Sequence, residues 1–230
     1  MNRGLKSVIM MYRRDLFNWV YLPWLILLSS FVVNTIIAAS MQDRFTTGGL
    51  MSIFVYVYIA GLIGVNQTFS FALSLCISRR DYFTGSSLVI VTLSLFHAAL
   101  LTVVTEIEQA VGSWMGMNFF VIPNLSDGPI WQTFYVFFAS MLLLFFIGFA
   151  SGSLSRRFGK KGNFLLYGGS FVIGGALITI GSLRGWWRPM FQWFVDLQPT
   201  LVGIMGVLLV LAAVLSLLSW LMLRRSAVRA

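Results

Sequence analysis

The side chains able to do acid–base or ligand chemistry are few. The 230 residues hold one histidine, one cysteine and seven acids. A metal centre or a nucleophile–base pair needs several such groups close together. Cys76 and His97 fall in different apolar runs, and no His-Glu-x-x-His pattern occurs. Cys76 therefore reads as a buried structural thiol. Glu106 and Glu108 are two residues apart. On a helix they point about 200° away from each other and cannot readily share a proton or a metal. The sequence predicts no catalytic residue and no metal site.

The nearest approach to a phosphate loop lies between Gly152 and Lys161. A Walker A motif needs four residues between its glycines, then Lys and Ser or Thr. Here six residues separate Gly152 from Gly159, and Lys160 precedes another lysine. The chain is not expected to hydrolyse ATP or to bind a cofactor.

The elements that must position these residues are apolar and long. Hydrophobic residues make up 58% of the chain and charged residues 10%, against about 25% charged in a soluble domain. A chain this apolar reads as an integral membrane protein. The expectation is a single all-α membrane domain over 1–230 with six transmembrane helices. These lie at about 19–41, 50–77, 87–111, 132–154, 163–183 and 200–223, each near the ~20 residues that cross the hydrocarbon. The first run is too long and lacks a small-residue cleavage site, so it reads as a retained span.

Residues 3–16 read as an amphipathic helix. Leu5, Val8, Ile9, Tyr12 and Leu16 share one face, and Arg3, Lys6, Arg13 and Arg14 gather opposite. Such a helix lies in the membrane interface with its cations near anionic lipid. Among polar residues in the spans, Asn34, Gln67, His97, Glu106 and Glu108 are candidate lining for a substrate path. For each, an interhelical hydrogen bond or interfacial water is the commoner role. Ala60 and Gly64, and Gly148 and Gly152, form small-xxx-small pairs suited to close packing. Trp186, Trp187, Met190, Phe191, Trp193 and Phe194 give 184–199 an aromatic helical pattern too short to span.

An even number of spans puts both termini on one side. Of the 16 basic residues, only Arg44, Arg184 and Arg188 fall on the other side. That bias places both termini in the cytoplasm. It also accounts for the net charge of +9 without a nucleic-acid partner.

The polar interruption Ser78-Arg79-Arg80-Asp81-Tyr82-Phe83-Thr84-Gly85 then becomes a cytoplasmic elbow between spans two and three. Arg79, Arg80 and Asp81 offer both signs of charge for docking. Tyr82 and Phe83 add aromatic anchors of the kind common at interfaces. Gly85 permits a turn into the next span.

This layout resembles the permease of an ABC-2 type transporter, particularly the short six-span permeases of bacterial efflux systems. The resemblance rests on the basic amphipathic helix at 3–16, Ser-Arg-Arg-Asp-Tyr-Phe-Thr-Gly at 78–85, the aromatic segment at 184–199 and the Leu223-Arg224-Arg225-Ser226 ending. It implies a multi-pass protein of the bacterial cytoplasmic membrane that forms a translocation pathway with a second permease subunit. A separate ATP-binding cassette ATPase, carrying ATP and Mg, would drive it. That partner would grip Ser78, Arg79, Arg80, Asp81, Tyr82, Phe83 and Gly85 together with Arg13 and Arg14. The alternative is a membrane scaffold or accessory subunit without transport.

Overall fold

The structure is a computed structural model that describes residues 3–40, 45–114, 116–122, 128–159, 162, 164–189, 192 and 200–224. The aromatic pattern expected over 184–199 lies largely outside these residues, as do Lys160, Lys161 and the Arg225–Ala230 tail.

Helix α1 (Arg3–Arg14) passes through a π-helical turn, Phe17–Tyr21, into α2 (Leu22–Ser40). Then follow α3 (Met51–Ser74), α4 (Arg79–Val111) and α5 (Ile130–Phe158). A second π-turn, Phe164–Gly168, leads into α6 (Gly169–Leu183), and α7 (Leu201–Arg224) closes the described chain. Two short strands, β1 (Phe45–Thr46) and β2 (Met117–Asn118), pair in parallel and tie the α2–α3 loop to the α4–α5 loop. The fold is thus all-α apart from this one tie. Among the described residues, five helices are long and apolar enough to cross a membrane: Phe17–Ser40, α3, α4, α5 and α7. The chain is built as a multi-pass membrane protein.

The segment expected as the fifth span, 163–183, divides into the π-turn and the 15-residue α6. Fifteen helical residues rise about 22 Å, short of the ~30 Å hydrocarbon. Helix α6 is exposed almost all round, with only Gly181 buried.

Lipid is as apolar as leucine, so close packing and hydrogen bonds, rather than water exclusion, hold such helices together. Glycine provides the close packing between α3 and α5. A Cβ on Gly148 would sit 2.1 Å from the Tyr58 carbonyl oxygen, and one on Gly61 would sit 2.5 Å from that of Phe145. The Gly148/Gly152 pair therefore lies against α3. The expected partner Gly64 does different work: its bare face receives the Trp19 ring.

Among the described residues two large apolar clusters result, beside a small one of Val136, Ala139 and Met205. One, at the basic end of the bundle, joins Val8, Tyr12, Trp19, Phe69, Tyr82 and Phe149. The other, at the far end, joins Leu27, Leu101, Met117, Phe119, Phe137 and Met141.

Helix α4 is longer than its apolar core. Its 33 residues rise about 50 Å, well beyond the ~30 Å hydrocarbon. The excess is the stretch 79–86, which is helix rather than an elbow loop. Ser78, in an extended conformation, caps it by accepting from the Asp81 N–H at 3.1 Å. The turn expected at Gly85 is instead a helical position. The true turn between α3 and α4 comes at 75–78, where Cys76 adopts a positive φ of 55°. Cys76 is exposed there, which corrects the expectation of a buried thiol.

Candidate coupling surface at the α1–α4 elbow

Helix α1 lies along the first turns of α4. The amphipathic face predicted from spacing is the contact face: Val8 and Tyr12 are buried, and Leu5 and Ile9 half-buried. Leu16, expected on the same face, is exposed. Close approach depends on Gly85. A Cβ there would stand 2.8 Å from Val8 Cγ1 and 3.5 Å from Leu5 Cδ1. About one turn earlier, a Cβ on Gly4 would likewise crowd the Asp81 carboxylate.

Hydroxyl groups reinforce this clasp. Tyr12 donates to Ser86 Oγ at 3.1 Å. Tyr82 and Thr68 share a hydrogen bond of 2.7 Å, and Thr68 also donates to the Gly64 carbonyl at 2.7 Å. The chain of hydroxyls joins α1, α4 and α3 inside one apolar cluster. Burial pushes the Tyr12 hydroxyl above its ordinary value, only partly offset by its hydroxyl partners. It therefore remains a neutral donor at neutral pH.

The elbow residues divide by what they touch. Tyr82 is fully buried, its ring edge-on to Phe69 at 5.2 Å. It cannot anchor an outside partner; it is an internal strut. Phe83 is half-buried between Phe149 and Trp220. Arg79 donates to the Arg224 carbonyl at 2.8 Å and so satisfies the open end of α7. Gly85 is covered by α1, and Asp81 is half-buried beside Gly4. What faces outward is Ser78, Arg80 and Thr84 from α4, and Arg3, Lys6, Arg13 and Arg14 from α1. The basic groups are thus spread along the outward sides of both helices, with Arg13 beside Leu88 and Val89 of α4.

The candidate path residues do not converge on one cavity. Asn34 donates to the Ser30 carbonyl of its own helix at 2.8 Å. Gln67 is exposed and lines a groove of about 250 Å³ between the start of α2 and α3, shared with Asp15, Asn18 and Tyr56. His97 lines a separate cavity of about 10 Å³, next to the unpartnered buried hydroxyl of Ser94. Both of its ring nitrogens are occupied. Trp24 Nε1 can only donate, so Nδ1 accepts at 3.0 Å and Nε2 carries the proton, given to the Trp19 carbonyl at 3.1 Å. The histidine pins the π-turn to α4 as a neutral ring.

Glu106 is half-buried, whereas Glu108 is 1% exposed. Glu108 accepts from the backbone N–H groups of Phe119 and Phe120, both at 2.6 Å. The α4–α5 loop is thus folded down onto a buried carboxylate, with Met117, Phe119 and Phe120 as its apolar underside. Among the described residues, no three His, Cys, Asp or Glu side chains come together to hold a metal ion.

Sequence reasoning missed Tyr12, Thr68 and Ser86 as a network, since nothing in their spacing shows that three helices meet there. It also read 78–85 as a loop. The signal against that was present, because Ser78-x-x-Asp81 is a helix-start pattern. No family model, no curated protein and no solved structure matches the chain.

Proposed function

We propose that this chain is the membrane-spanning permease subunit of an ATP-binding cassette exporter of the ABC-2 type. A separate ATPase drives it from the cytoplasm. The observation that supports this reading best is the clasp of α1 onto α4. Transmitting work from a partner needs an exposed grip on a stiff arm that continues into the bundle. Arg80, Arg13 and Arg14 supply the grip. The Val8–Gly85 contact and the Tyr12–Ser86 and Tyr82–Thr68 bonds supply the stiffness. Helix α4 then runs without a break past His97 to Glu108.

In this reading the basic end lies in the cytoplasm, as the arginine and lysine bias requires. The π-turn and α6 together form the sixth crossing, and both termini are cytoplasmic. The exposed apolar surface of α6 faces lipid or the second permease subunit. The membrane is the bacterial cytoplasmic membrane, and ATP and Mg bind only to the partner. A scaffold subunit has no need of a stiff lever with a basic grip.

The test separates grip from strut. Arg80→Glu reverses an exposed charge and leaves the internal contacts alone. It should abolish substrate-stimulated ATP hydrolysis by the complex while membrane insertion, read by protease protection, is unchanged. Full coupling in that variant would refute the docking role.

A further inference from the structure

Between α1 and α4, beside the clasp, lies a crevice of about 370 Å³ whose apolar interior the proposed transport role does not use. Its walls are Ile9, Leu16 and Trp19 on one side and Leu88, Val89 and Leu93 on the other. The only charged group on its lining is Arg13, which is exposed at the rim; no carboxylate lines it. A second apolar recess shares Ile9 and Arg13 with it on the cationic face of α1, bounded also by Lys6, Met10 and Arg14. The slot is therefore apolar inside and purely cationic at its mouth.

We propose that this crevice is a binding site for one anionic phospholipid. An acyl chain lies between α1 and α4, and the headgroup phosphate pairs with Arg13. Three observations favour this occupant. Apart from Arg13 the lining is apolar but for the hydroxyls of Tyr12 and Thr92, which already donate to Ser86 Oγ and the Leu88 carbonyl, so a polar ligand would lose its hydration with few replacement partners. A guanidinium at the mouth presents a fork of donors that matches phosphate oxygens. Lys6 and Arg14 on the same helix add attraction for an anionic surface and none for a zwitterionic one.

The bound lipid would rest against Tyr12 and Trp19. Tyr12 fixes α1 to α4, and Trp19 carries the carbonyl held by His97. The lipid thus completes the seam between the two helices. This inference does not depend on the transport reading.

The test is native mass spectrometry of the full chain in detergent with equimolar phosphatidylglycerol and phosphatidylcholine of identical chains. The wild type should retain one phosphatidylglycerol in several-fold preference. Arg13→Gln should lower that preference about fivefold, the effect of roughly one cation at an anionic surface. Thr92→Trp, which fills the crevice from α4, should remove the retained lipid while thermal unfolding shows the chain still folded. Arg157→Gln, a basic residue at the end of α5, should leave the preference intact. Equal retention of both lipids by the wild type would overturn the proposal. So would an Arg157→Gln effect as large as that of Arg13→Gln, or lipid retained by Thr92→Trp.

Discussion

Val8 of α1 reaches to 2.8 Å from where a Cβ on Gly85 of α4 would stand. The two helices touch through a missing side chain. Within a helix, Gly→Ala ordinarily stabilises by about 1 kcal/mol. At this position the sign should invert, because overpacking costs about 1–3 kcal/mol and Val8 is itself fully buried. Gly85→Ala should lower the thermal unfolding temperature in detergent and speed tryptic cleavage at Lys6 and Arg13. A stabilised protein with unchanged cleavage would mean α1 is not clasped there.

The hydroxyl chain should behave as coupled pairs. Tyr82→Phe and Thr68→Val each remove one partner of the 2.7 Å bond. A double-mutant cycle should give a coupling of about 0.6 kcal/mol, and at most about 1.7 kcal/mol. Tyr12 adds a pH signature. Its folded pKa is raised above the ordinary 10, so the folded state holds the proton more tightly. That contribution is fully present below about pH 10 and lost as pH rises beyond it. Unfolding scans should show the alkaline loss in the wild type and a smaller one in Tyr12→Phe.

These two sites mark how far the sequence could be read. The apolar face of α1 was legible because a 3.6-residue period records which side is covered. What covers it was not legible, because Gly85, Ser86 and Thr68 are distant in sequence and ordinary in type. The polar run 78–85 misled for a physical reason. Polarity marks the edge of the hydrocarbon, but a helix can continue past that edge, and α4 does. Tyr82 and Arg79 look like free surface groups in a loop; in a helix between α3 and α7 they are turned inward. Cys76 looked buried because apolar residues surround it in sequence, yet it sits on the turn.

Glu108 offers a third measurement. The Phe119 and Phe120 amides bond to different carboxylate oxygens, so Glu108→Gln in the same pose turns an NH2 donor toward one of them and removes the charge from both bonds. A hydrogen bond to a charged group contributes about 1.5–3 kcal/mol. Hydrogen exchange at these two amides should accelerate about tenfold or more in Glu108→Gln. Glu106→Gln, at a half-buried site, should leave them slow. Equal protection in both variants would remove Glu108 as the anchor of the α4–α5 loop.

Cys76 serves as a built-in reporter of orientation, being the single cysteine and exposed at the α3–α4 turn. A membrane-impermeant maleimide should label it in inside-out vesicles and not in intact cells. Labelling from the outside would reverse the topology and place the basic end on the wrong side for an ATPase.

The central claim is that energy reaches this chain from another protein through the surface shared by α1 and the start of α4. The most direct measurement is the quantity of ATPase that accompanies the full chain when it is purified from its own membranes in mild detergent. The expected result is a protein with a Walker A motif in near-equal molar amount, reduced at least tenfold by Arg80→Glu with the chain still folded. A chain that purifies without an ATPase, or with one whose amount Arg80→Glu does not change, would contradict the account.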